Sequence, residues 1–108
     1  MTLNSVPPTS LQRLIKLGFK RAGEWKLNHD SPDRKITFEL VEIDVDEPNV
    51  LYAFVANNEL LYIGKSVKTL KKRLAGYQRP GKSQFTNIRS NKNILDLLSR
   101  QKGVEIYV

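Results

Sequence analysis

Three tyrosines and one arginine, at Tyr52, Tyr62, Tyr77 and Arg73, stand on a stretch whose patterning gives each a definite position. Val50–Ala56 is a seven-residue apolar run. Asn57 and Asn58 tolerate the positive φ of a tight turn, and residues 59–64 form a second apolar run, which together read as a β-hairpin. Helical spacing then begins at Ser66, an N-cap residue type, with Val67, Leu70 and Leu74 on one side and Gly76 closing the run. Arg73 and Tyr77 are four apart, so one helical turn brings the guanidinium and the phenol to one patch. A guanidinium stays charged and can engage two phosphate oxygens at once. That is the stabilisation needed as a phosphorus becomes five-coordinate. A free phenol titrates near about 10 and is a poor base at neutral pH, unless a neighbouring cation such as Lys65 or Arg73 lowers that value.

The residues resemble the GIY-YIG nuclease domain. Val50-Leu51-Tyr52 stands where the family has its first Gly-Ile-Tyr, with Val50 in place of the glycine, and Tyr62-Ile63-Gly64 reproduces the second motif. Arg73 takes the place of the family's helix arginine, and Tyr77 the histidine-or-tyrosine position one turn later. The resemblance covers residues 47–108. It implies a catalytic set of Tyr52, Tyr62, Arg73, Lys65 and Tyr77, with a tyrosine, most naturally Tyr52, orienting or deprotonating the attacking water. It also implies metal-dependent hydrolysis of DNA phosphodiesters. The alternative is a non-catalytic nucleic-acid-binding module that uses the same surface.

Charge placement supports a nucleic-acid partner under either reading. The chain has 18 Lys and Arg against 11 Asp and Glu, a net charge of +7. Between Leu60 and Leu95 there are nine basic residues and no acid, whereas between Asp30 and Glu59 eight acids face only Arg34 and Lys35. A solvated helix face ordinarily mixes both signs. A one-signed face suits a phosphate backbone, whose condensed counterions are released when lysines and arginines replace them. Lys68, Lys71, Lys72, Arg79, Lys82 and Arg89 are the expected contacts to double-stranded DNA, with Asn87 and Gln84 as uncharged groups able to reach sugar or base edges.

At 108 residues the chain supports one core. It has no cysteine and a single histidine, His29, so thiolate and histidine-cluster metal sites are excluded and any metal needs oxygen ligands, which favours magnesium. The start lacks the basic cluster and apolar core of a signal peptide, and no apolar run approaches the roughly 18 residues of a membrane span. A cytoplasmic protein without a membrane partner is expected.

The expected fold class is α/β (α+β): a small antiparallel three-stranded sheet flanked by helices, preceded by an N-terminal helix and hairpin. In the first part, residues 1–46, Thr9 or Ser10 caps a helix through Leu17, and strands are expected over residues 24–28 and 35–43 with Trp25 in the core. The acidic stretch 42–47 and Pro48 mark the boundary with residues 47–108. After Tyr77 come a polar loop, a short turn at residues 85–88, a helix over 90–100 and a strand over 104–108. Residues 76–83 spell a Walker A phosphate loop, but they leave a helix instead of a buried strand and enter the polar stretch 84–91, so the match is read as coincidence. Glu105 and Asp96 are the only acids after Glu59. The resemblance implies a metal-binding glutamate on a helix after the third strand, and neither acid stands there. The metal ligand is therefore unassigned, residues 47–108 are expected to be C-terminally truncated, and Mg2+ or Mn2+ is expected for the full-length protein.

Overall fold

A computed structural model describes residues 9–30, 35–41 and 47–108. The elements in chain order are α1 (Ser10–Lys16), β1 (Arg21–Leu27), β2 (Ile36–Leu40), β3 (Val50–Ala56), β4 (Glu59–Ser66), α2 (Leu70–Gln78), α3 (Phe85–Ser99) and β5 (Val104–Tyr107). Thr9 opens α1 with a capping box: its hydroxyl accepts from the Gln12 backbone while the Gln12 side chain accepts from the Thr9 N–H. Asn57 and Asn58 both take positive φ, 52° and 63°, as a two-residue hairpin turn with matching twist requires.

The five strands form one antiparallel sheet in the order β2-β1-β5-β3-β4. This replaces the expected three-stranded sheet. The C-terminal strand β5 would be an edge if only β3 and β4 accompanied it, and β1 satisfies its outer row of backbone groups by pairing Glu24 with Glu105 and Trp25 with Val104. Gly23 sits at the register shift of this pairing, where a Cβ would collide with the Glu39 carbonyl. The expected boundary at residues 42–47 lies mostly outside the described residues.

Strand alternation divides the core between two sides. Ala22, Trp25, Ile36, Tyr52, Phe54, Val104 and Ile106 meet Leu70, Leu74 and Tyr77 of α2 and Ile94 of α3. Trp25 is fully buried and meets Phe38 and Phe54 edge to face, at 5.5 and 5.7 Å between ring centroids. On the other side Ala53, Val55 and Tyr107 receive Leu14 of α1. That helix crosses the end of the central hairpin, where the Leu11 N–H donates to the Asn58 carbonyl and the Ser10 hydroxyl to Glu59.

Several element boundaries differ from the sequence expectation. β4 runs on through Lys65 and Ser66, which pair with Leu51 and Val50, and α2 begins at Leu70 behind the Thr69 cap. Val67 is consequently in a connection and 72 % exposed instead of on a buried helix face. α3 starts at Phe85, absorbing the expected turn at residues 85–88. The Walker-like residues thus end close to a helix N-terminus after all, but residues 76–78 are the last turn of α2, so no strand delivers the loop.

Candidate active site

Tyr52 lies opposite Gly64 and Phe54 opposite Tyr62 in the β3–β4 register, so both tyrosines leave the sheet on the face covered by α2 and α3. Their ring centroids are 6.2 Å apart, and each is 6.1 to 6.2 Å from that of Tyr77. The glycine of the Tyr62-Ile63-Gly64 motif has a steric cause. A Cβ on Gly64 would stand 2.6 Å from the Tyr52 hydroxyl oxygen and 2.7 Å from the Tyr62 ring, closer than real Cβ atoms approach anything. The Tyr52 side chain lies across its cross-strand partner because that partner has no side chain. Gly64→Ala should therefore cost about 1–3 kcal/mol through overpacking and push Tyr52 out of place. A urea melt with a lowered midpoint and unchanged slope checks this; a midpoint equal to that of the parent chain contradicts it.

Arg73 connects the tyrosines to α3. Its Nη2 donates to the Tyr77 hydroxyl at 2.9 Å and to Asn87 Oδ1 at 2.8 Å, which uses both protons of that nitrogen. The Tyr77 and Tyr52 hydroxyls are 2.6 Å apart. The guanidinium carbon stands 4.2 Å from the Tyr77 ring centroid, within cation–π range. Among the described residues the N–H groups on Nε and Nη1 have no acceptor. Gly76, expected to end the helix, lies inside α2; a Cβ there would meet Arg73 Nη1 at 3.3 Å and Asn87 Nδ2 at 3.6 Å. Its lack of a side chain makes room for the guanidinium.

Asn87 is 6 % exposed and turned inward: besides accepting from Arg73 it donates to Gln84 Oε1 at 3.2 Å, which in turn accepts from the Gly81 N–H at 2.9 Å. It holds the arginine and does not reach outward to nucleic acid, the role its polarity and position suggest from sequence. Sequence reasoning missed Asn91, whose Nδ2 donates to the Tyr77 carbonyl at 2.7 Å. A signal existed: Asn87 and Asn91 are four apart on α3, as Arg73 and Tyr77 are on α2, so two single-turn pairs face each other.

Burial works against a phenolate at Tyr52 and at Tyr77. It raises the Tyr52 pKa above its ordinary value, and the opposing hydrogen bond from Tyr77 and charge of Arg73 do not offset it. Tyr77 is raised further, first by burial and then by its bond to Tyr52. The expected lowering by nearby cations does not arise. Lys65 pairs with Leu51 and so leaves the strand on the opposite face from Tyr52, outside the cluster. At neutral pH Tyr52 and Tyr77 are neutral hydrogen-bonding groups, and Tyr62 is the member of the trio that keeps partial exposure.

Lys65, Lys68, Lys71, Lys72, Arg79, Lys82 and Arg89 are all exposed. The ion pairs among the described residues involve only Arg21, Lys26 and Arg100, so none of those seven cations is neutralised there. The first turn of α2 has no acid to complement its positive dipole end and carries Lys71 and Lys72 instead.

The carboxylates lie elsewhere. Glu105 is on the α1 side of the sheet with Arg21 and the Tyr107 hydroxyl, and Asp96 pairs with Arg100. Among the described residues no three His, Cys, Asp or Glu side chains converge. Among the same residues no helix is long and apolar enough to cross a membrane.

No family model matches the sequence, and no curated protein does. Two solved structures share the architecture. A mutant of bacteriophage T4 EndoII superposes with a TM-score of 0.65 at 26% identity, covering 89% of this chain and 68% of that one. The restriction endonuclease Hpy188I in complex with product DNA gives 0.62 at 20% identity, covering 99% and 70%. Both neighbours are DNA endonucleases, and what this chain shares with them is a nuclease fold.

Proposed function

We propose that this chain is an endonuclease of the GIY-YIG type acting on double-stranded DNA, with Arg73 as the group that meets the scissile phosphate. The observation that carries the reading is the state of that guanidinium: fixed on one nitrogen by Tyr77 and Asn87, without an acceptor on the other two among the described residues, and on a basic stretch whose exposed cations no acid there neutralises. An N–H donor held in place before the reaction needs no reorganisation as charge develops on a non-bridging oxygen. Tyr62, the tyrosine with partial exposure, orients the attacking water. Tyr52 and Tyr77 act behind it as a neutral hydrogen-bonded pair that positions Arg73. The product-bound Hpy188I structure supports DNA as the partner. Glu105 and Asp96 are engaged by Arg21 and Arg100, so neither supplies a metal ligand in these steps.

The second reading is a nucleic-acid-binding module without hydrolysis, which the acid-free basic stretch from Leu60 to Leu95 would serve equally. Incubation with supercoiled plasmid and Mg2+ or Mn2+ separates the two: nicking supports the nuclease, and retardation without nicking supports the module. Both require the basic surface. Replacing Lys68, Lys71 and Lys72 together by glutamate should weaken duplex affinity and reduce the slope of log affinity against log salt by about 0.9 for each phosphate no longer neutralised. Affinity and slope equal to those of the parent chain would remove this face from the interface.

A further inference from the structure

Beside the tyrosine cluster, between β4 and α3, a pocket of about 230 Å³ stays open where a helix on a sheet would normally close. Its floor is aromatic, formed by Phe54 and Tyr62, whose ring centroids are 6.1 Å apart and whose planes are inclined at 36°. Its wall is Thr86, Arg89, Ser90 and Asn93, successive members of one stripe at helical spacing on α3. A helix face packed on a sheet is ordinarily apolar. Here the apolar packing is made by Ile94, and the stripe that looks across at Tyr62 is polar and includes a guanidinium that no acid among the described residues neutralises. The strand is shaped to match. Phe54 pairs with Tyr62 but Val55 with Leu60, so Leu61 is an extra residue that bends β4 where Tyr62 emerges.

Flat apolar floor, hydrogen-bonding edge and cation at the rim match the three parts of a nucleotide: base face, base edge and phosphate. The volume is below the roughly 300 Å³ at which pockets for drug-sized ligands begin, which suits one ring system and not two. We infer that this pocket takes a single unstacked nucleobase, lying on Tyr62 with its polar edge toward Ser90 and Asn93 and its phosphate at Arg89. The inference rests on the nucleic-acid reading above and extends it: the base next to the bond at Arg73 leaves its stack and is held on the ring of the tyrosine that borders both sites. Tyr62 would then register the substrate as well as orient the water.

The test is titration of the isotope-labelled full chain with deoxyadenosine monophosphate, followed by amide NMR, with deoxyribose 5-phosphate as the abasic control. The expected result is a shift of the Tyr62, Thr86, Ser90 and Asn93 amides with the nucleotide and a much smaller one with the sugar phosphate. Ser90→Leu with Asn93→Leu, which fills the pocket from a solvent-facing stripe, should weaken binding at least tenfold. Asn93→Asp, a change at an exposed site, should weaken it in the same direction should the leucine pair fold poorly. Absence of those shifts, equal shifts with the abasic control, or unchanged affinity in folded variants overturns the pocket. Duplex binding measured on the same sample keeps the two readings apart. Duplex binding without nucleotide shifts removes the pocket alone, whereas nucleotide shifts without duplex binding keep the base pocket and remove the polynucleotide reading.

Discussion

Arg73→Ala is expected to lower any DNA cleavage by this protein by about 100- to 1,000-fold, the loss found when one preorganised donor to a developing anion is removed. Stability enters the same measurement. Asn87 is 6 % exposed and accepts from Arg73, so truncation leaves its Oδ1 without that donor. Such a loss costs about 1–3 kcal/mol. Arg73→Lys separates the two effects, because lysine keeps the charge but cannot hold Tyr77 and Asn87 from one nitrogen while presenting a separate nitrogen to a phosphate. The expectation is that both variants bind duplex nearly as well as the parent chain, since the surrounding lysines carry that contact, and that both cut poorly. Either variant cutting at more than a tenth of the parent rate, at equal stability, would take Arg73 out of the reaction.

Removing residues 1–46 is expected to abolish folding of the remainder. The first part supplies two strands of the sheet, and without them β5 loses its partner along Arg21–Leu27. Trp25 and Ile36 also leave the core that they share with Tyr52, Phe54 and Ile106. Loss of one buried aromatic side chain costs about 3–5 kcal/mol. Together with a buried isoleucine and the uncovered edge of β5, that reaches the roughly 5–15 kcal/mol by which domains are stable at all. Residues 47–108 alone should give a collapsed NMR spectrum, bind a hydrophobic dye and melt without cooperativity. A sharp melt within about 5 °C of that of the intact protein, roughly the shift that 1 kcal/mol produces in a domain of this size, would show that they carry an independent core.

Local chemistry made much of the site readable in advance. The Asn57–Asn58 turn, the limits of β3, the Thr9 cap and the four-residue spacing of Arg73 and Tyr77 depend on contacts within a few residues, and the structure has each of them as the sequence implied. The shared face of Tyr52 and Tyr62 followed once the hairpin register was known, since alternation along a strand fixes the side on which each residue emerges. The acid-free basic stretch was visible as composition.

Tertiary contacts decided the rest. β1 pairs with β5 from the opposite end of the chain, as between Arg21 and Tyr107, and no local pattern encodes that choice; hence five strands and not three. The start of α2 moved because Lys65 and Ser66 found partners in β3, which outweighed the capping preference of Ser66. Asn87 has the polarity of a surface residue, but the close approach of α2 and α3 gave it Arg73 as a donor and buried it. The tyrosines moved opposite to the expected direction in acidity because depth of burial, a property of the whole fold, outweighed a neighbouring charge that the spacing alone could reveal. Sequence thus set which groups could meet at this point, and the packing of two helices on a five-stranded sheet set their solvation and their partners, on which their chemistry depends.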